Sequence, residues 1–430
     1  MKTGATWATL ALILCATAAG AWAEPSDAGS RIDLSGNLKS FLFAVDPAGI
    51  ENDPLSEEPS TEGLAQTKLR LRLLAPLSDE LKTEVAYEVR PVIEGDIPVL
   101  TAGYLSGHQV TSTYRIADLE TQLYPENEHE PGSFRVAQNL DRLSATLSTG
   151  FADFTCGRQP IAFGAAHVIN PTDVLAPYNF NELDTEDRLG VDAVRMRAPL
   201  GAMGEIDSGL VFGDDMKRDN SAAFMRLRHP FQATDVTFSA IEFRENLLIG
   251  MDATRAVGGA GVWVEAAWTV AGLFDERISG DDYGRASGGI DYNINWRDGV
   301  YVYLEYHYNG ASADDPAQYF KKTADTAYRE GGVYLLGRHY LAPGAAFHLT
   351  PLWTANLSAL VNLGDDSEYF MAALEYNFFE NAYLSFGLNI PRGDRATIAP
   401  GPTAGDFMIR PRSEFGCYPT LYYTSISLYF

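Results

Sequence analysis

Along residues 290–296 apolar and polar side chains alternate strictly. Ile290, Tyr292, Ile294 and Trp296 share one face, and Asp291, Asn293 and Asn295 share the other. The same period returns after Arg297-Asp298-Gly299. There Val300, Val302, Leu304, Tyr306 and Tyr308 lie opposite Tyr301, Tyr303, Glu305 and His307. A period of two belongs to a β-strand with one apolar and one wetter face. Phe370, Leu374, Tyr376 and Phe378 form a similar stripe. So do Tyr422, Thr424, Ile426, Leu428 and Phe430, which alternate with Tyr423, Ser425, Ser427 and Tyr429. From Ile32 onward such segments are joined by tight turns near 76–79, 149–150, 200–204, 230–234, 297–299 and 379–381. Between the turns lie long polar loops at 46–66, 91–132, 160–190, 213–220, 272–286, 309–330 and 392–416. The rhythm predicts an all-β fold, a single transmembrane antiparallel β-barrel with short periplasmic turns and long extracellular loops. Threading it gives roughly 18 strands, within about 16 to 20. That threading requires residues 114–124 to belong to the loop before Phe134 rather than to cross the membrane.

Composition sharpens this reading. Lys2, an apolar stretch over 7–19 and Ala21-Trp22-Ala23 form a cleavable signal peptide, residues 1–23, which leaves 24–430 for the barrel. Leu14 before Cys15 is a poor lipidation signal. Removal of Cys15 leaves Cys156 and Cys417, whose pairing the sequence leaves open. A net charge of -25 argues against nucleic acid as a partner. The uncharged run 341–364 is interrupted by Pro343 and Pro351 and reads as strands, not as a membrane helix. The segment before the first strand is too short for an N-terminal plug domain.

Three strands approach a short turn with cations at alternate positions: Lys68, Arg70 and Arg72; Arg195 and Arg197; Arg226 and Arg228. Their partners on the other face are Leu69, Leu71, Met196 and Leu227, so the cations must line the lumen. Arg70, Arg72, Arg195, Arg197, Arg226 and Arg228 either attract anionic solutes or pair with Glu84, Glu88, Glu205 and Asp207 on adjoining strands. Residues 160–190 are long enough to fold into the barrel and narrow it, with Arg158, Asn170, Asp173 and Arg188 as candidates for the constriction. The alternative is that these four pin a surface loop. Loop pairs such as Asp214-Asp215 and Asp365-Asp366 read as solvated carboxylates more readily than as calcium ligands. The histidines have no metal-ligand spacing, and no haem-attachment or nucleophile motif appears. Neither a cofactor nor an enzymatic reaction is expected.

The alternating carboxyl-terminal tail resembles the closing strand of bacterial outer-membrane proteins. The resemblance makes Phe430 an assembly signal for the barrel-assembly machinery. Gly157-Arg158-Gln159, Phe163-Gly164 and Asn170-Pro171-Thr172-Asp173 resemble segments of porin-like channels related to alginate-export barrels. This implies a channel in a Gram-negative-type outer membrane, passing small polar or anionic solutes by passive diffusion. Its surroundings would be lipid, lipopolysaccharide and, in a homo-oligomer, copies of itself. The competing reading is a scaffold barrel sheathing an exported polymer or a multihaem cytochrome conduit, which needs a wide lumen free of loops.

Overall fold

The computed structural model describes residues 32–51, 61–94, 114–117, 121–125, 134–274, 281–400 and 407–430; the signal-peptide segment lies outside them. The strands run β1 Asp33–Asp46, β2 Glu62–Pro76, β3 Leu81–Glu94, β4 Thr121–Tyr124, β5 Phe134–Ser148, β6 Asp153–Pro160 and β7 Gly190–Leu200. Next come β8 Gly204–Phe212, β9 Ser221–Phe231, β10 Thr234–Phe243, β11 Asn246–Val257, β12 Ala260–Val270, β13 Tyr283–Ile294 and β14 Val300–Asn309. The last are β15 His339–Thr350, β16 Trp353–Asn362, β17 Ser367–Phe379, β18 Ala382–Arg392, β19 Thr397–Pro400, β20 Phe407–Arg410 and β21 Thr420–Tyr429. Setting aside the short β4, β19 and β20, eighteen strands close into one antiparallel barrel, each paired with its sequence neighbour and β21 with β1.

Closure is made by the carboxyl-terminal strand. Tyr429 faces Asn37 across the β21–β1 seam. Phe430 then exchanges backbone hydrogen bonds with Gly36, at 2.7 and 3.0 Å. The Phe430 ring lies over Gly36, where a Cβ would come within 2.8 Å of it. The seam register runs without a break from Asn37–Tyr429 to Asp46–Thr420, the continuous pairing that an apolar surround demands.

The predicted faces hold. Ile290, Tyr292, Ile294 and Trp296 are exposed on the outer surface, while Glu305 and His307 are buried on the inner one. The described residues 114–117 and 121–124 do not cross the barrel. Thr121–Tyr124 pairs locally with β5, and β3 pairs directly with β5. The loop rhythm is less regular than expected, since β10 and β11 join through Arg244-Glu245 alone at the long-loop end. Both residues have positive φ, 46° and 68°, as a two-residue hairpin turn requires. Cys156 is exposed and Cys417 buried, and the two are not joined by a disulfide.

Candidate functional site: the inward loop and the lumen wall

Residues 161–189, between β6 and β7, fold into the barrel instead of standing on its rim. The entry is apolar: Ile161, Phe163, Val174 and Leu175 are buried against Val211, Phe224, Ile241 and Leu248 of the wall. Farther on, two wall carboxylates receive the loop's backbone. Glu265 on β12 accepts N–H bonds from Ala165, Ala166 and Thr172 at 2.8, 3.1 and 2.7 Å, and the Thr172 hydroxyl at 2.7 Å. Glu305 on β14 accepts from His167, Val168 and Ile169, and from the Trp263 indole at 2.8 Å. The His167 ring stacks on Trp263 with centroids 3.8 Å apart. From β13, Arg285 donates to the Pro171 carbonyl at 2.6 Å, and Ser287 donates to that of Ile169 at 2.6 Å. Gly164, at φ +102°, makes the turn between these contacts; a Cβ there would lie 2.1 Å from Asn170 Oδ1.

Phe180 then reaches the far wall and packs among Tyr334, Tyr369, Phe415 and Tyr418, with centroids 5.4 to 6.2 Å away. The returning chain is ionic. Asp184 and Glu186 bind Lys39 of β1 at 2.7 and 2.6 Å, Asp184 also binds Lys68, and Asp187 binds Arg70 of β2. Burial works against ionisation of Asp184, but Lys68 and Lys39 outweigh it and hold the carboxyl below its ordinary range.

The basic lining is thus mostly paired. Arg70 also meets Asp141 at 2.6 Å and Glu88 at 3.4 Å. Arg72 meets Glu84 at 2.7 Å, and Arg195 meets Asp207 at 2.6 Å. Arg226 lies 3.8 Å from Asp252, with its guanidinium over the Phe163 ring, and Arg228 lies 3.5 Å from Asp235. The pairs nearest the turns are the open ones: the Arg72 and Arg228 side chains are 43 % and 58 % exposed. Arg197 and Glu205 are exposed, and neither has an ion-pair partner within 4.0 Å among the described residues. Glu205, Asp207, Arg226, Arg228, Asp235 and Asp252 line a cavity of about 240 Å³ beneath Gly164 and Ala165.

The four loop candidates are placed differently from one another. Asp173 and Arg188 form an ion pair inside the loop, with Arg188 also bonded to the Ala176 carbonyl and stacked 4.3 Å over Tyr178. Burial raises the Asp173 carboxyl, and Arg188 opposes that shift. Asn170 lies at the Glu265 contact, and its Oδ1 has no hydrogen-bond partner among the described residues. Arg158 does not join them. It is buried, with Asp192 at 2.8 and 2.9 Å and the carbonyls of Leu140 and Ala117 at 2.8 Å. It braces β5 and β7 against the segment at 114–117. Glu265, Lys39 and Asp184 escaped the sequence reading, and Glu305 was placed on the inner face without a role, because lone charges on lumen faces carry no signature of what they will hold.

An eighteen-stranded antiparallel barrel, with short turns at one end and its third long loop folded into the lumen, is the fold of outer-membrane porins. Solved structures share it across the described length. OccAB4 of Acinetobacter baumannii is 10% identical over 95% of this chain and 100% of that one, with a TM-score of 0.52. OprD of Pseudomonas aeruginosa is 9% identical over 93% of each chain, with a TM-score of 0.54. A BenF-like porin from Pseudomonas fluorescens is 8% identical over 93% of this chain and 98% of that one, with a TM-score of 0.52. At such identities the likeness is one of fold. No protein-family model matches the chain, and no curated protein matches its sequence. These likenesses support a porin-type barrel and lend nothing to the finer resemblance to alginate-export channels.

Proposed function

We propose that this chain is a porin-type channel through which small polar or anionic solutes diffuse passively across a Gram-negative-type outer membrane. The observation that carries the reading is the arrangement of the lumen. A loop fixed to opposite walls narrows it, and Arg72, Arg197 and Arg228 remain accessible on the turn side. Accessible cations in a confined, low-dielectric passage raise the local concentration of anions. The likeness to Occ, OprD and BenF-like porins supports the same reading. Export by a signal peptide at 1–23, insertion through Phe430 and lipopolysaccharide as neighbour belong to it. A sheath around a polymer or a cytochrome would need the space that residues 161–189 fill, which counts against that alternative.

Purified protein in planar bilayers tests the proposal. Discrete conductance steps are expected, with a reversal potential under a salt gradient displaced towards the anion. A barrel that inserts without conducting, or one that prefers cations, would refute it.

A further inference from the structure

The lumen wall is charged on one side and nearly neutral on the other. Lysines and arginines face inward from β1, β2, β7 and β9. Among the described strands, β14 to β18 and β21 contain a single lysine or arginine, Arg392. It stands opposite Glu368, whose neighbours Ser367 and Tyr369 are the buried, inward residues, so Arg392 faces away from the lumen. Register with Glu305 and His307 puts Tyr301, Tyr303, Asn356, Ser358, Ser385 and Tyr423 on the inner face of these strands. Of the inward carboxylates, Glu305 is taken up by the loop, which leaves Glu375.

Two of the tyrosines lie flat against this wall. Tyr303 on β14 is paired with Gly344 on β15, and a Cβ on that glycine would run into the tyrosine ring. Tyr423 on β21 is paired with Gly387 on β18, where a Cβ would do the same. Each ring therefore covers bare backbone with one face and turns the other towards the passage; both residues are half-buried. Covering a glycine accounts for the posture of the rings but not for the missing cations. Between the two platforms, β16 and β17 present Asn356 opposite Ala373. Asn356 is exposed although it faces inward, and its amide has no partner among the described residues.

We propose that the inner faces of β14 to β18 and β21 form a path for uncharged sugars, with Tyr303 and Tyr423 as stacking platforms and Asn356 as the hydrogen-bonding group between them. The inference rests on the channel reading above and names an uncharged solute class for it. An anion finds no cation on this side of the lumen. A cation finds little more, because Asp291 on β13 is engaged by the Gly261 N–H and the Tyr301 hydroxyl, both at 3.0 Å. A wholly apolar ring would strip water from the wall's amides and hydroxyls without replacing it. A pyranose meets both demands: the C–H face of its ring lies on an aromatic face, and its hydroxyls point outward in the plane of the ring towards groups such as the Asn356 amide.

Single channels of the full-length protein, recorded in chloride with maltose or with the open-chain polyol sorbitol at equal osmolality, provide the test. Maltose should reduce the current saturably, and sorbitol only in proportion to its concentration. Tyr303→Leu/Tyr423→Leu should raise the half-blocking maltose concentration by about tenfold, the combined worth of two aromatic faces. Tyr303→Phe/Tyr423→Phe keeps the faces and should keep most of the block. If the double Leu variant does not assemble, Asn356→Leu decides, since that exposed position packs against nothing that closes the barrel; it should weaken the maltose block as well. A conducting wild type that treats maltose and sorbitol alike overturns the path and leaves the channel reading intact. So does a saturable block by choline in place of maltose, or an undiminished maltose block in the folded Leu variants. No conductance in any of these proteins overturns both.

Discussion

Glu305 is the sharpest place to test whether the loop is seated by the wall. Its carboxylate accepts three loop N–H groups, from His167, Val168 and Ile169, and the indole N–H of Trp263. Glu305→Ala leaves four donors without an acceptor in a site where Glu305 is 1 % exposed. Two of these bonds, from Ile169 and Trp263, are buried, and an orphaned buried donor costs about 1–3 kcal/mol, so even the low end gives about 2 kcal/mol, or about thirty-fold in the seating equilibrium. The backbone ladder of β14 is untouched, so the barrel should still close and resist detergent. The expected result is a variant that assembles in normal amounts, conducts more and shows noisier current as residues 165–172 move in the lumen. Glu305→Gln keeps one acceptor and should fall between. Single-channel recording alongside heat-dependent gel mobility separates loop release from barrel damage. Wild-type conductance and noise in a folded Glu305→Ala barrel would refute this account of the seat.

Replacing Arg72, Arg197 and Arg228 by Gln should shift selectivity towards cations without impairing assembly, because Arg197 is exposed and the arginines of the Arg72 and Arg228 pairs are exposed, and such pairs contribute little to stability; an unchanged reversal potential in the folded variant would remove these arginines from the selectivity argument. Deletion of Phe430 removes the two backbone bonds to Gly36 and should leave the protein unassembled, which outer-membrane fractionation checks. Burial pushes the Glu414 carboxyl up to about 7 from an ordinary 4.5, against the donors Tyr340, Leu336 and Asn362 that hold it to the loop before β15 and to the loop ends of β15 and β16. The folded protein therefore binds this proton more tightly than the free chain does. Its contribution to loop attachment is complete below about 4.5 and is lost as pH rises through about 7. Protease sensitivity of the loops should rise across that range in the wild type and stay flat in Glu414→Gln; a Glu414→Gln protein with the wild-type profile would rule the residue out.

Much of the barrel was legible, because a membrane-spanning strand must repeat its apolar face every second residue and each turn must break that repeat. Ile290 to Trp296 and Tyr422 to Phe430 needed no other information. The exceptions have local causes. Arg244-Glu245 turns a hairpin without the Asn or Gly that marks one, so the loop-end rhythm misses it. Gly157, at φ +112°, breaks the alternation of β6 just before Arg158, whose position therefore could not follow from strand parity. The pairing of the basic lining was half legible. Cross-strand partners such as Glu84 for Arg72 and Asp207 for Arg195 follow from adjacency. The partners of Lys39 and Lys68, and Asp187 for Arg70, lie on a loop more than a hundred residues away, and only its inward course brings them together.

That course also explains how so acidic a chain keeps a basic wall inside it. Acids at the turn end stand on neighbouring strands and stay half in water, where the pairs are weak and the arginines remain available. Acids at the loop contact are carried in from outside the wall, and there the paired cations are almost wholly buried. The same ion pair is therefore nearly inert in one half of the lumen and decisive in the other, according to how much water reaches it. Neutralising Asp184, Glu186 and Asp187 changes which wall cations are available, whereas neutralising Glu84 or Asp235 changes only how strongly available cations are offset. The two sets of substitutions should act on selectivity in the same direction, but only the first should also change the width of the passage.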